Sequence, residues 1–134
     1  LNTETFARAT MADFCIREGA RYGGIINMCS IAWVLRNRVF AGWGDWYTVA
    51  STAHEKRGAI YPEWKVDLRN GQVRMFLSRI DVIHNGEEVE DLVNGALYYS
   101  DLGLPQNEWF SKNVLADRDE HPILAQTGPV IFFG

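Results

Sequence analysis

From Ile25 to Leu35 the chain leaves almost no polar face: Ile25, Ile26, Met28, Cys29, Ile31, Ala32, Trp33, Val34 and Leu35 cover nearly the whole circumference of a helix. A helix apolar all round either crosses a membrane or forms the centre of a globular domain. No apolar run approaches the ~20 residues that a span needs, and Asn27, Ser30, Arg36, Asn37 and Arg38 interrupt this one. The expectation is a buried central helix from about Ile25 to Ala41. Arg36 and Arg38 sit favourably beside the negative end of its dipole, and Gly42 and Gly44 terminate it.

The rest of the chain supplies elements to surround that helix. Thr3 is placed to cap a first helix whose Phe6, Ala7, Met11, Phe14 and Cys15 form one stripe at three-and-four spacing, broken by Gly19 and then Gly23-Gly24. Asp45 is placed to cap a third helix through about Arg57. After an irregular stretch from Gly58 to Asn70, Val73, Phe76, Leu77, Ile80 and Ile83 mark a fourth helix over Gln72 to His84, ended by Asn85-Gly86. Gly95 to Tyr99 reads as extended and Val130 to Phe133 as β-favouring, with a short helix from Asn107 to Leu115 between them and Pro105 and Pro122 as punctuation. The 134 residues, 47% hydrophobic, therefore predict one domain over 1–134, α+β and mainly helical, with a two-strand β element near the C-terminus.

Composition removes several functions. Seventeen acidic residues against thirteen Lys and Arg give a net charge of −4, the wrong balance for a nucleic-acid binder held by a broad basic face. Cys15 and Cys29 are too few for a disulfide scaffold and are expected as buried free thiols, a single bridge between the first two helices being the other reading. His54, His84 and His121 stand far apart, without the spacing of a zinc site; no metal or cofactor is expected. His121 beside Asp117, Asp119 and Glu120 reads as an acidic surface turn before Pro122. Nucleophile elbows, phosphate loops and dinucleotide fingerprints are absent from the sequence. With neither an initiator Met nor a signal-like segment, the chain is expected to begin inside a longer product or after processing. Five Trp, five Tyr and seven Phe make 13% aromatics, suited either to filling volume or to lining a cleft for sugar rings.

Glu18 continues the stripe of Met11, Phe14 and Cys15, so its carboxyl belongs to the inward face of the first helix. At a helix C-terminus among apolar neighbours, a carboxyl is held in its protonated form by both the dipole and desolvation. A proton kept near neutral pH is what a general acid needs to protonate a glycosidic oxygen. The ordinary account is a carboxylate that is solvated or paired with Arg17, Arg21 or Arg38.

Glu18-Gly19-Ala20-Arg21, followed by a helix ending Val34-Leu35-Arg36-Asn37-Arg38-Val39, resembles the bacterial cell-wall hydrolases related to spore-cortex-lytic enzymes. There a Glu-Ala-Arg-Gly-type segment precedes a helix closing on Val-Leu-Asn-Arg-Val. Asn94-Gly95-Ala96-Leu97-Tyr98-Tyr99 is similar to that family's Gly-Ala-Leu-Tyr-Tyr segment, Trp109 falls where an aromatic usually follows, and Thr127-Gly128 to Phe132-Phe133 resembles its closing Ile-Gly-x-His-x-Phe-Phe. The matches keep family order from about Met11 to Phe133. The chain departs from the pattern in four places: Gly19 is inserted, Tyr22-Gly23 stands in the region of a second glutamate, Arg36 is extra, and Val130 replaces the histidine.

The resemblance implies a lysozyme-like fold, cleavage of peptidoglycan glycan strands in the bacterial envelope or outside the cell (phage- and spore-associated settings included), and Glu18 as catalytic acid. A monomer with no nucleic-acid partner is expected. Glycosidases normally use two carboxyl groups. Asp45, Glu55 and Glu63 are the candidates for a second, and no spacing sets any of them opposite Glu18. One suffices where the substrate supplies its own nucleophile, as in the related lytic transglycosylases, whose muramic acid 6-hydroxyl attacks its own anomeric carbon. Tyr98, Tyr99 and Trp109 are the choices for walls of the sugar cleft, Tyr99 foremost. The rival is a module of the same fold that grips glycan or a protein without cutting.

Overall fold

The computed structural model describes residues 3–22, 24–58, 69–85, 91–103 and 105–134, with 3–7, 20–22 and 53–58 described as backbone only. The chain runs through α1 (Thr3–Tyr22), α2 (Ile25–Phe40), α3 (Trp46–Gly58), α4 (Gly71–Asn85), β1 (Tyr98–Asp101), α5 (Glu108–Phe110) continuing into a π-helical turn (Ser111–Leu115), then β2 (Ile123–Thr127) and β3 (Val130–Phe133). The mainly helical α+β class holds. The cap expected at Thr3, the stripe positions Phe6 and Ala7, the breaks at Gly23 and Gly86, and the stretch around Tyr61 to Trp64 lie outside the described residues.

α2 is the centre. Every residue from Asn27 to Leu35 is buried, with α1 and α4 packed along it and α3 against both α1 and α2. The first turn differs from expectation: Ile26 is 63% exposed, because α2 emerges from the bundle at its N-terminus. α4 turns Val73, Phe76, Ile80 and Ile83 inward, as its periodicity required. Its N-terminus is capped by Asn70, whose Oδ1 accepts from Gln72 N at 2.9 Å and Val73 N at 3.2 Å. Asp45 does the same for α3, accepting from Thr48 N at 2.8 Å.

Gly19 does not break α1, which continues to Tyr22. The residue is buried, and a Cβ there would lie 2.2 Å from Met28 Cγ, 2.8 Å from Met28 N and 2.9 Å from Met28 Cα. Only glycine lets the two helix backbones approach so closely, and this packing gain outweighs its poor helix propensity of about 1 kcal/mol. α1 ends instead where the N–H of Gly24, at φ 138°, bonds back to Gly19 O at 3.0 Å.

The sheet has three antiparallel strands in the order β1-β3-β2, one more than expected. β2 and β3 form a hairpin in which Thr127 pairs with Val130 across Gly128-Pro129. Gly128, at φ 58°, supplies the positive φ that the tight hairpin turns demand. β2 was missed because its residues are mostly half-buried or exposed and carry no alternating pattern. The pleat sends Tyr99 and Phe132 to the main core and Tyr98, Ile131 and Phe133 to a smaller one with Phe110 and Val114.

The end of α2 is tied to the approach to β1. Asn37 Nδ2 donates to Asp91 Oδ2 at 2.9 Å and to Ala96 O at 3.1 Å, and Arg38 Nε donates to Leu97 O at 2.8 Å. Asp91 in turn accepts from Val93 N and Gly95 N, fixing the turn in which Asn94 and Gly95 take positive φ.

Two measurements check this reading. Gly19→Ala should lower stability by about 1–3 kcal/mol in urea titration despite alanine's better helix propensity, because the new methyl meets the backbone of α2. The amide of Thr48 bonds the Asp45 carboxylate and holds its carboxyl below the usual range, so the unfolded chain binds this proton more readily. The contribution of Asp45 is thus full above the unfolded pKa and fades as pH falls through the folded one. Asp45→Ala should melt earlier at neutral pH, and the gap should close below roughly pH 4.

Candidate functional site

Glu18 is fully buried, on the face of α1 that meets the start of α2. It lies one turn before the helix ends, since α1 runs on to Tyr22, so the dipole contributes less than a terminal position would. Of the partners considered in the sequence, Arg17 also bridges Asp13 at 3.2 Å, Arg38 lies at the far end of α2, the side chain of Arg21 is outside the described residues, and Glu18 is not without an interaction partner. The side chain is not solvated.

Two unbridged thiols share this region. Burial pushes the Cys15 thiol well above its ordinary range, and the nearby Cys29 and Glu18 push it further. Cys29 is also raised by burial, with Arg79 opposing. Neither suits a nucleophile, which must be a thiolate. Cys15 lies within electrostatic reach of both Cys29 and Glu18, and all three are buried.

Two neighbouring grooves open on the outer side of the α2 N-terminus. One, of about 350 Å³, lies between the first turn of α2, Gln72 of α4 and the hairpin tip at Thr127 and Gly128. The other, of about 340 Å³, runs from Ile25 and Ile26 over Cys29 to Met75, Arg79 and Leu92. Glu18 lines neither; Cys29 forms part of the second wall. Gln72 and Asn27 hold the rim, Gln72 Oε1 accepting from Ile25 N at 2.9 Å and Asn27 Oδ1 accepting from Thr127 Oγ1 at 2.5 Å.

The three aromatic candidates separate. Tyr99 is buried, its ring 6.2 Å from Phe132 in the main core. Tyr98, on the other face of β1, meets both Trp43 and Trp109, with ring centroids 5.4 and 6.1 Å away, and His121 meets its ring edge-on at 5.2 Å. The Arg38 guanidinium sits 4.9 Å from the Trp43 ring and 5.9 Å from Tyr98. Gly19 of α1 touches Met28, and Arg38 is ten residues further along α2, about 15 Å at the helical rise of roughly 1.5 Å per residue. Tyr98 and Trp109 therefore gather with Trp43 and Arg38 around the last turn of α2. Tyr99 is not beside them.

Among the proposed second carboxylates, Asp45 is an exposed helix cap after the far end of α2. The side chain of Glu55 and all of Glu63 lie outside the described residues, as does the side chain of His54. His84 is buried and stacked on Trp46 at 4.4 Å, while His121 Nδ1 donates to Gly134 O at 2.8 Å. Among the described residues no group of three or more His, Cys, Asp or Glu side chains is placed to hold a metal ion. Val130, where the resembling family has histidine, is a fully buried core residue.

Trp43 is not among the candidates that the sequence offers. The signal was present in Gly42-Trp43-Gly44 directly after a basic helix end, the pattern of a glycine-terminated helix whose second following residue packs back on its last turn.

The state of the thiols is directly measurable. Ellman's reagent at pH 8 should label Cys15 only on the timescale of unfolding, and both thiols at once in denaturant; fast native labelling of Cys15 would contradict the buried cluster. Comparison with models of protein families, with curated proteins and with solved structures gave no match.

Proposed function

We propose that the chain cleaves the glycan strands of peptidoglycan, with Glu18 as general acid and then general base, on a lysozyme-like fold. The observation that carries the reading is the complete burial of a helix-borne carboxyl between α1 and α2, behind the grooved end of the bundle. A carboxyl group can give a proton to a leaving oxygen and take one back from an attacking hydroxyl. The motif order supports the same reading, and two of the resembling segments touch: Asn37 and Arg38 of the first hold Ala96 and Leu97 of the second.

In the reaction, the Glu18 carboxyl donates its proton to the glycosidic oxygen as the bond to the anomeric carbon breaks. The carboxylate then accepts the proton of the muramic acid 6-hydroxyl as that oxygen bonds to the anomeric carbon, leaving a 1,6-anhydro sugar. Atoms and charge balance without a second protein carboxylate. Substrate reaches Glu18 only if the wall at the α2 N-terminus parts, since the side chain has no solvent exposure. The envelope or an extracellular setting, and a monomeric enzyme, belong to this proposal.

That Glu18 lines neither groove favours a second reading, a module that holds glycan without cutting it. Turbidity of purified sacculi and mass spectrometry of the released muropeptides separate the two. The wild type should clear the suspension and release anhydro-muropeptides, and Glu18→Gln, nearly isosteric, should be slower by about 100-fold or more. Reducing ends without anhydro sugar would indicate hydrolysis in place of transglycosylation. Retention on sacculi without clearance would support the binding module, and undiminished activity in Glu18→Gln would remove this residue from the chemistry.

A further inference from the structure

The groove between α2 and the first half of α4 is walled by three separate segments. Ile25, Ile26 and Cys29 line it from α2, Met75 and Arg79, one turn apart, from α4, and Leu92 from the approach to β1. Each wall is held in place. Gln72 of α4 accepts from Ile25 N of α2, Asn70 caps α4, and Asp91, bonded to Asn37 of α2, accepts from Val93 N next to Leu92. Ile26, Met75 and Leu92 are nevertheless 63%, 58% and 47% exposed. Large apolar side chains scattered singly need no explanation, but these three line one recess of about 340 Å³. Among the described residues this wall carries one charge, the Arg79 guanidinium, whose field reaches Cys29 on the same wall.

We propose that this groove binds a single medium-length alkyl carboxylate, its chain along Ile26, Met75 and Leu92 and its carboxylate on Arg79. The recess is at the small end of the range for small-molecule sites, which are mostly apolar with a few polar groups that fix orientation. An unbranched alkyl chain follows an irregular wall, and the flexible Met75 side chain adjusts to it. A planar guanidinium matches a carboxylate through two parallel hydrogen bonds. Arg79 has another interaction as well, and five guanidinium donors can serve two partners. Ser78 does not compete for the carboxylate as a donor, since its hydroxyl donates to Met75 O at 2.6 Å. A protein partner fits less well: three exposed side chains around this recess are far from the roughly 800 Å² per side of a stable interface. A bilayer surface attracts clusters of cations, whereas this wall has one arginine and the chain is net −4. Glu18 lines neither groove, so the site is independent of the chemistry proposed for that residue.

Isothermal titration calorimetry of the whole chain with decanoate tests the site, alongside decyltrimethylammonium, which keeps the tail and reverses the charge. Decanoate should bind one to one and roughly tenfold or more tightly than the cation. Arg79→Gln should remove that preference, and Ile26→Asn, at an exposed position, should weaken decanoate roughly tenfold. Circular dichroism and melting confirm that both variants are folded. In spectra of isotope-labelled methionine methyls, the Met75 signal should move with decanoate while that of the fully buried Met11 stays. No binding by the wild type, equal affinity for the two amphiphiles, equal decanoate affinity in both folded variants, or an unmoved Met75 signal would each overturn the site. So would a dimer that Ile26→Asn dissociates in sedimentation, which would give this face to a second copy. Binding to phosphatidylglycerol vesicles that Ile26→Asn abolishes would give it to a bilayer and overturn the site as well.

Discussion

The contact between Gly19 and Met28 sets the distance between α1 and α2, and most of the molecule is arranged around it. With no side chain at Gly19 the two backbones come together, and Cys15 and Glu18 are closed off from water, with Cys29 at the groove-side edge. A larger residue would wedge the helices apart and admit solvent to that cluster. The carboxyl and the thiols are therefore kept in a low-dielectric setting by a residue with no chemistry of its own. Its cost in helix propensity is small beside the apolar area that close packing removes from water.

From that seam α2 runs through the core as a buried rod. Its polar residues are placed where the sheet needs them: Asn27 receives Thr127 at the hairpin tip, and Asn37 and Arg38 hold the turn that leads into β1. The helical and β parts of the chain are joined at both ends of one element. The sheet in turn is covered on two sides, Phe132 facing the bundle and Phe133 facing Phe110 and Val114.

Features with a strong period or a local cap were legible in the sequence. The apolar circumference of α2, the stripe of α4 and the capping role of Asp45 each follow from a few neighbouring residues. What depended on a distant partner was not. Gly19 reads as a breaker until Met28 is seen against it, and β2 has no alternation because only its pairing with β3 makes it a strand. The inward position of Glu18 was visible from Met11, Phe14 and Cys15, but its depth was not. Tyr98 and Tyr99 are adjacent and similar, and only the pleat of β1 decides which joins the core. Trp43 escaped notice because its neighbours Tyr98 and Trp109 lie far along the chain.

The helix α2 has the buried acid beside its first turns, and its last turn holds the tryptophan that folds back upon it. Hydrogen-bonded helices stretch very little, so the interval between these two places is a constant of the molecule. α2 is therefore a spacer: the buried carboxyl and the aromatic cluster cannot approach one another without breaking the helix that separates them.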